Sequence, residues 1–112
     1  MKRIHLGEFE ELVLLVVAVL KGEAYGINVM QELGSQANRK VNISAVHAAL
    51  RRLEQKGFVQ SDWSEATQSR GGRRKRLFTA TASGMTALSE VQQTRQKLWS
   101  QLSAAHPPIS ES

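Results

Sequence analysis

Leu12–Leu20 is an unbroken run of nine apolar residues, LVLLVVAVL, and it sets the terms for the fold. Extended upstream to Gly7, the segment reads as one helix. Phe9, Leu12, Val13, Val16, Val17 and Leu20 form a stripe at helical spacing, and Leu14, Leu15, Ala18 and Val19 make much of the remaining surface apolar. A helix that is apolar nearly all round is stable only when it is covered on both sides. The chain has 112 residues, enough for one modest domain and not two. Other helices of that domain must therefore surround this one, and a second subunit is expected to supply part of the cover. Lys2 and Arg3 precede the run, as they would in a signal peptide. Glu8, Glu10 and Glu11 intervene, however, and Lys21-Gly22-Glu23 follows in place of a small-residue cleavage site. The run is also far short of the ~20 residues a membrane span requires. The expectation is a cytoplasmic protein without a membrane partner. The absence of cysteine agrees with this and excludes disulfides and thiolate metal sites.

After the turn at Lys21-Gly22-Glu23, a second helix is expected from about Ala24 to Gln36, with Tyr25, Ile27, Val29, Met30 and Leu33 turned to the core. Gln36–Lys40 is a polar connection, and Val41–Ile43 favours a short strand. Asn42–Gly57 (NISAVHAALRRLEQKG) then reads as a helix with marked ends. Ser44 is placed to cap its N-terminus, and Gly57 to close it in a left-handed conformation. Val46, Ala49, Leu50 and Leu53 form its apolar stripe. Ser44, Ala48, Arg51 and Gln55 lie opposite, flanked by His47 and Arg52. That face is polar, cationic and low in bulk at Ala48. Such a face suits a DNA major groove; it also suits the solvated side of an ordinary amphipathic helix.

The segment after this helix separates the two readings. Phe58–Ser64 and Arg74–Thr81 read as two strands of a hairpin, joined by the polar segment Glu65–Arg73 with its Gly71-Gly72 turn signal. Arg70, Arg73, Arg74, Lys75 and Arg76 crowd the tip and the start of the second strand. These cations repel one another, and a polyanion would relieve the repulsion. Net charge is +5, but residues 1–38 carry −2, residues 39–76 carry +7, and residues 77–112 are neutral. Positive charge concentrated in the middle third points to a nucleic-acid partner.

Thr81 offers a second N-cap, and a long helix follows from about Ala82 to Leu102 with Met85, Leu88, Val91, Leu98, Trp99 and Leu102. Positions 88, 91, 98 and 102 follow a pairing pattern interrupted by Arg95, which suggests a helix shared with a second subunit. His106-Pro107-Pro108 ends it, and the tail to Ser112 is expected to be disordered. Trp99 either fills the seam between subunits or offers a flat face to a small aromatic effector, with Arg95 beside it for a cation–π or anion contact.

No catalytic constellation is present. His5, His47 and His106 are scattered, Glu10 and Glu11 diverge by about 100° on their helix, and Gly71-Gly72 is a turn and not a nucleotide loop. Neither an enzyme, a metal site nor a cofactor is expected.

The order is helix, helix, polar-faced helix, basic hairpin, long helix. Over roughly residues 6–102 the sequence resembles the PadR family of bacterial transcriptional regulators. The resemblance rests on Leu6-Gly7-Glu8 with the apolar run, Tyr25-Gly26, Ala49-Leu50-Arg51-Arg52-Leu53-Glu54 with Gly57, then Gly72-Arg73, Lys75-Arg76, Phe78, Thr81 and Gly84. The chain has His47-Ala48 where the family usually has Tyr-Pro, and Arg74, Phe78 and Ala80 where it usually has Pro, Tyr and Leu. The resemblance implies a dimeric, usually repressing regulator that binds a two-fold-related operator; some members release DNA when a small molecule binds.

The expected fold is therefore mainly α with a small β-hairpin: a winged helix-turn-helix over residues 1–81, a dimerisation helix over 82–105, and a tail over 106–112. The expected contacts with double-stranded DNA come from Asn42, Ser44, His47, Ala48, Arg51 and Arg52 on the helix and from Arg70, Arg73, Arg74, Lys75 and Arg76 on the wing. Leu88, Val91, Leu98, Trp99 and Leu102 are the expected homodimer contacts, and Trp99 with Arg95 the candidate effector site. A winged helix used for protein–protein assembly, or a nucleic-acid binder without sequence preference, are the rival readings.

Overall fold

The computed structural model describes residues 6–64 and 74–105. Four helices and a two-stranded antiparallel hairpin follow in the order α1 (Glu8–Val19), α2 (Gly26–Gln36), α3 (Ile43–Gln55), β1 (Val59–Trp63), β2 (Arg76–Ala80) and α4 (Ala82–Ala105). The fold is mainly helical with one small hairpin, as expected. Arg70 and Arg73, the Gly71-Gly72 turn, and the tail from His106 lie outside the described residues. Among the described residues no helix is long and apolar enough to cross a membrane.

Helix α1 is the centre of the packing: α2, α3, α4 and β2 all lie against it. Val13, Leu14 and Val17 are fully buried and join Val29 and Leu33 of α2, Val46, Ala49, Leu50 and Leu53 of α3, Phe58 and Val59 of the first hairpin strand and its approach, Phe78 of β2 and Leu88 of α4. Two core expectations for the second helix change. Ile27 is half exposed, and Tyr25 stands outside the helix as its N-cap residue, its N–H donating to Asn28 Oδ1 at 2.8 Å.

Helix α3 begins earlier than the Ser44 cap implies. Asn42 is the N-cap, and its side-chain oxygen accepts from the Ala45 N–H at 2.8 Å. This claims Ile43 as the first helical residue, so Val41–Ile43 forms no strand. The other end is as expected. Gly57 has φ +79°, the Gly57 N–H donates to Glu54 O, and the Phe58 N–H donates to Leu53 O. This crossed pair of bonds satisfies the last carbonyls and delivers Phe58 to the core.

The strands pair from Val59 opposite Ala80 to Trp63 opposite Arg76. A one-residue bridge adds Ala24 to the far edge of β2, through the Phe78 N–H and Ala24 O at 2.8 Å. No sequence pattern announces it, because a single bonded residue has no period.

The start of α4 is locked to the α3–β1 corner. Thr81 Oγ1 accepts from the Gly84 N–H at 3.0 Å and donates to Gly57 O at 2.6 Å, while the Thr81 N–H donates to Phe58 O. A Cβ on Gly84 would stand 2.2 Å from Phe58 O, which is backbone and cannot turn aside. This approach brings Leu88, one turn further on, into the core at 6 % exposure. Leu88, expected at the subunit seam, is a core residue of its own chain, and the first turns of α4 are continuous with the helical core.

Gly84→Ala should therefore lower stability by about 2 kcal/mol, or roughly 10 °C in Tm. Gly34→Ala in α2 meets nothing within 4 Å and should leave stability unchanged or raised. Thermal melts of both variants check the pair.

Candidate nucleic-acid interface

The buried stripe of α3 (Val46, Ala49, Leu50, Leu53) points its other side away from the chain. Ser44, His47 and Arg51 are exposed and Ala48 is half-buried; Arg51 makes no ion pair among the described residues. The expected face is thus brought together, exposed at Ser44, His47 and Arg51 and partly covered at Ala48. Asn42 sits at its edge, its carbonyl oxygen committed to the cap. The His47 ring lies over bare Gly26 backbone, where a Cβ would meet its Cε1 at 2.5 Å. The imidazole therefore lies along the crossing of α2 and α3.

The cations divide into two groups, which no local pattern could reveal. Arg52 is drawn back to α1: its Nε donates to Glu10 Oε2 at 2.8 Å, and Lys56 Nζ donates to Glu10 Oε1. Arg76 is held between Ser61, Glu54 and the Trp63 ring. Lys75 Nζ lies 4.2 Å from the centroid of the Tyr25 ring, which fastens the base of the hairpin to the start of α2. Arg74 is exposed and makes no ion pair among the described residues.

The first turn of α1 holds the other anchors. Glu8 takes both ends of Arg39 from the α2–α3 connection, at 2.8 and 3.0 Å, and Glu11 accepts from Arg95 of α4 at 2.8 Å. Three carboxylates thus tie one helix to three other parts of the chain. Sequence spacing could not suggest these pairs, since the partners lie 31 to 84 residues apart. Arg95, expected beside an effector, is already engaged by Glu11. On α4, Val91 is half-buried, while Leu98, Trp99 and Leu102 are 58 %, 64 % and 48 % exposed.

A helix-turn-helix whose second helix is bare on one face, followed by a hairpin carrying cations at its base, is a winged helix-turn-helix. The sequence model of the transcriptional regulator PadR-like family matches residues 13–90, and the chain belongs to that family, one of transcription regulators and not of enzymes. Solved structures agree on the fold. A PadR-like transcription factor from Bacteroides fragilis is 20 % identical with a TM-score of 0.70, covering 88 % of this chain and 89 % of that one. A PadR family transcription regulator from hypervirulent Clostridium difficile R20291 is 22 % identical with a TM-score of 0.66, covering 88 % and 97 %. Bacillus subtilis PadR, solved in complex with operator DNA, is 18 % identical with a TM-score of 0.65, covering 96 % of this chain and 53 % of that one. No curated protein matches the sequence.

Burial alone would raise the Glu10 carboxyl, but hydrogen bonds from Lys56 and Arg52 outweigh it and hold the group below the 4.5 of an ordinary glutamate. A carboxyl whose folded pKa is depressed contributes stability that is present above its unfolded pKa and lost as pH falls through the folded value. The protein should therefore lose stability as pH falls below about 4.5. Glu10→Gln should flatten that part of the profile and cost about 1–2 kcal/mol at neutral pH. Urea melts across pH check this; an unchanged profile would remove Glu10 as the anchor of α3.

Proposed function

We propose that the chain is a homodimeric, sequence-specific DNA-binding regulator, acting as a repressor on a two-fold-related operator in the cytoplasm. The observation that carries the reading is the outward face of α3. Ser44, His47 and Arg51 stand exposed around half-buried Ala48, with the His47 ring resting on the Gly26 backbone and the base of a cationic hairpin following in the chain. The net +7 over residues 39–76 supports a polyanionic partner, and a solved relative of the same fold binds operator DNA. In this reading Ser44, His47, Ala48 and Arg51 face base edges, with the Asn42 amide at their margin. Arg74 and Lys75, with Arg70 and Arg73 beyond them, contact phosphate or the minor groove.

The dimer reading rests on α4. Leu98, Trp99 and Leu102 present an apolar surface in the single chain, and Leu15 and Val19 of α1 are also exposed. A second copy would cover such a surface. Two helices presented by a two-fold dimer suit half-sites about one helical turn apart. A small aromatic effector would find the exposed Trp99 ring to stack on, but Arg95 would have to leave Glu11 to meet an anion.

A gel shift with the protein's own upstream region against scrambled competitor separates this reading from a protein–protein module and from a binder without preference. Arg51→Ala should cost about 1–3 kcal/mol on the specific duplex and much less on the scrambled one. Arg74→Ala should weaken both alike and reduce the salt slope by roughly one. If both variants lose only non-specific affinity, α3 does not enter the groove.

Leu98→Asp would place a charge in the apolar seam and should yield monomers with poor operator affinity. Sedimentation of the unmutated protein as a monomer at micromolar concentration would overturn the dimer.

A further inference from the structure

Arg76 differs from its neighbours on the wing because three groups hold it at once. Its Nε donates to Ser61 Oγ at 3.0 Å, Nη2 approaches Glu54 Oε2 at 3.5 Å, and the guanidinium lies 5.7 Å from the centroid of the Trp63 ring. Ser61 Oγ donates its one proton to Glu54 Oε2 at 2.6 Å, so the hydroxyl serves as donor and acceptor together. These contacts join α3, which carries Glu54, to β1, which carries Ser61 and Trp63, and to β2, which carries Arg76.

Register places Ser61, Trp63 and Arg76 together, and the α3–β1 corner brings Glu54 to them. Trp63 pairs with Arg76 and Ser61 with Phe78. Alternation along the strands puts all of them on the face that Val59 and Phe78 turn to the core. The core stops at Val59 and Phe78: outward of them Ser61 is half-buried and Trp63 is 59 % exposed. Apolar packing therefore holds the inner half of the hairpin, and the polar cluster continues the attachment outward. Half-exposed ion pairs contribute little to stability. A guanidinium that bridges a hydroxyl and a carboxylate, with a ring beneath it, has a defined direction, and direction is what such a cluster can supply.

We propose that Glu54, Ser61, Arg76 and Trp63 form a strut that sets the angle between α3 and the wing, making Glu54 and Arg76 positioning residues for DNA selectivity and not phosphate contacts. The proposal rests on the DNA-binding reading above. A winged helix must engage the groove and the flanking backbone at a separation set by the duplex. A wing free to swing from its inner end would bind any backbone equally well. The strut restricts it to the angle at which a sequence that suits α3 also meets the wing.

The signs of two effects make this testable. A carboxylate near a polyanion repels it, so charge alone requires Glu54→Ala to tighten binding to all DNA. The strut requires a loss of selectivity instead. The probe is a duplex enriched from a random library by the unmutated protein, compared with a scrambled duplex of the same composition across several salt concentrations. Glu54→Ala and Arg76→Ala should each lower the ratio of specific to scrambled affinity about tenfold, and the double variant should lose little more, since contacting partners are not additive. Arg76→Lys keeps the charge but not the planar fork and should fail to restore the ratio. Amide hydrogen exchange in β1 and β2 should be faster in each variant without DNA. Glu54→Gln keeps the side-chain size should an alanine variant unfold, and should show a smaller loss in the same direction. The strut is overturned if Glu54→Ala tightens both duplexes alike, or if Arg76→Lys behaves as the unmutated protein with an intact salt slope, which makes Arg76 a phosphate contact. Failure of the unmutated protein to enrich any duplex would instead overturn the DNA-binding reading, and the strut's role in selectivity with it.

Discussion

Every other element of this structure depends on the need to bury α1. A helix with Val13, Leu14 and Val17 fully enclosed, and apolar residues around most of its circumference, has no stable exposed arrangement. Helices α2 and α3, strand β2 and the start of α4 supply the cover, and α3 leaves its polar side outward as a result. The bare face of α3 is thus a by-product of burying Val46, Ala49, Leu50 and Leu53 against α1. That face is left exposed because the core claims the opposite side of the same helix.

The carboxylates at the start of α1 complement this packing with direction. Apolar contact is tolerant of rotation; an ion pair with hydrogen-bond geometry is less so. Glu10 fixes α3 through Arg52 and Lys56, Glu8 fixes the approach to α3 through Arg39, and Glu11 fixes α4 through Arg95. The exposed pairs of this set contribute little energy. Glu10 and Glu11 are both buried, and Glu10, which meets two cations, is the one whose loss leaves most charge unmatched. The helix that organises the core therefore also sets the orientation of α3, whose polar face turns outward, and of α4.

The basic middle third serves two purposes. Arg52 and Arg76, drawn inward by Glu10 and Glu54, hold parts of the fold together. Arg51 and Arg74 remain turned to solvent. Lys75 stands between, fastened to the Tyr25 ring by its charge. A cation count measures attraction to a polyanion; it does not say which cations are available to meet one.

Periodicity by itself determined the four helices, the hairpin, the stripe of α3 and its glycine end, because each depends on residues within a turn or a strand pair of one another. The threonine cap of α4 was legible for the same reason, and the family could be recognised from motifs spread along the chain. Capping at Asn42 instead of Ser44 was a choice between two good caps two residues apart, and local pattern does not rank them. Only the tertiary structure decided that Leu88 belongs to the core, because the close approach of Gly84 to Phe58 is a contact between backbones with no residue pattern of its own. It alone paired Glu11 with Arg95 and Glu54 with Arg76. Charges far apart in sequence carry no record of their partners, and the chain must fold before distance selects among them.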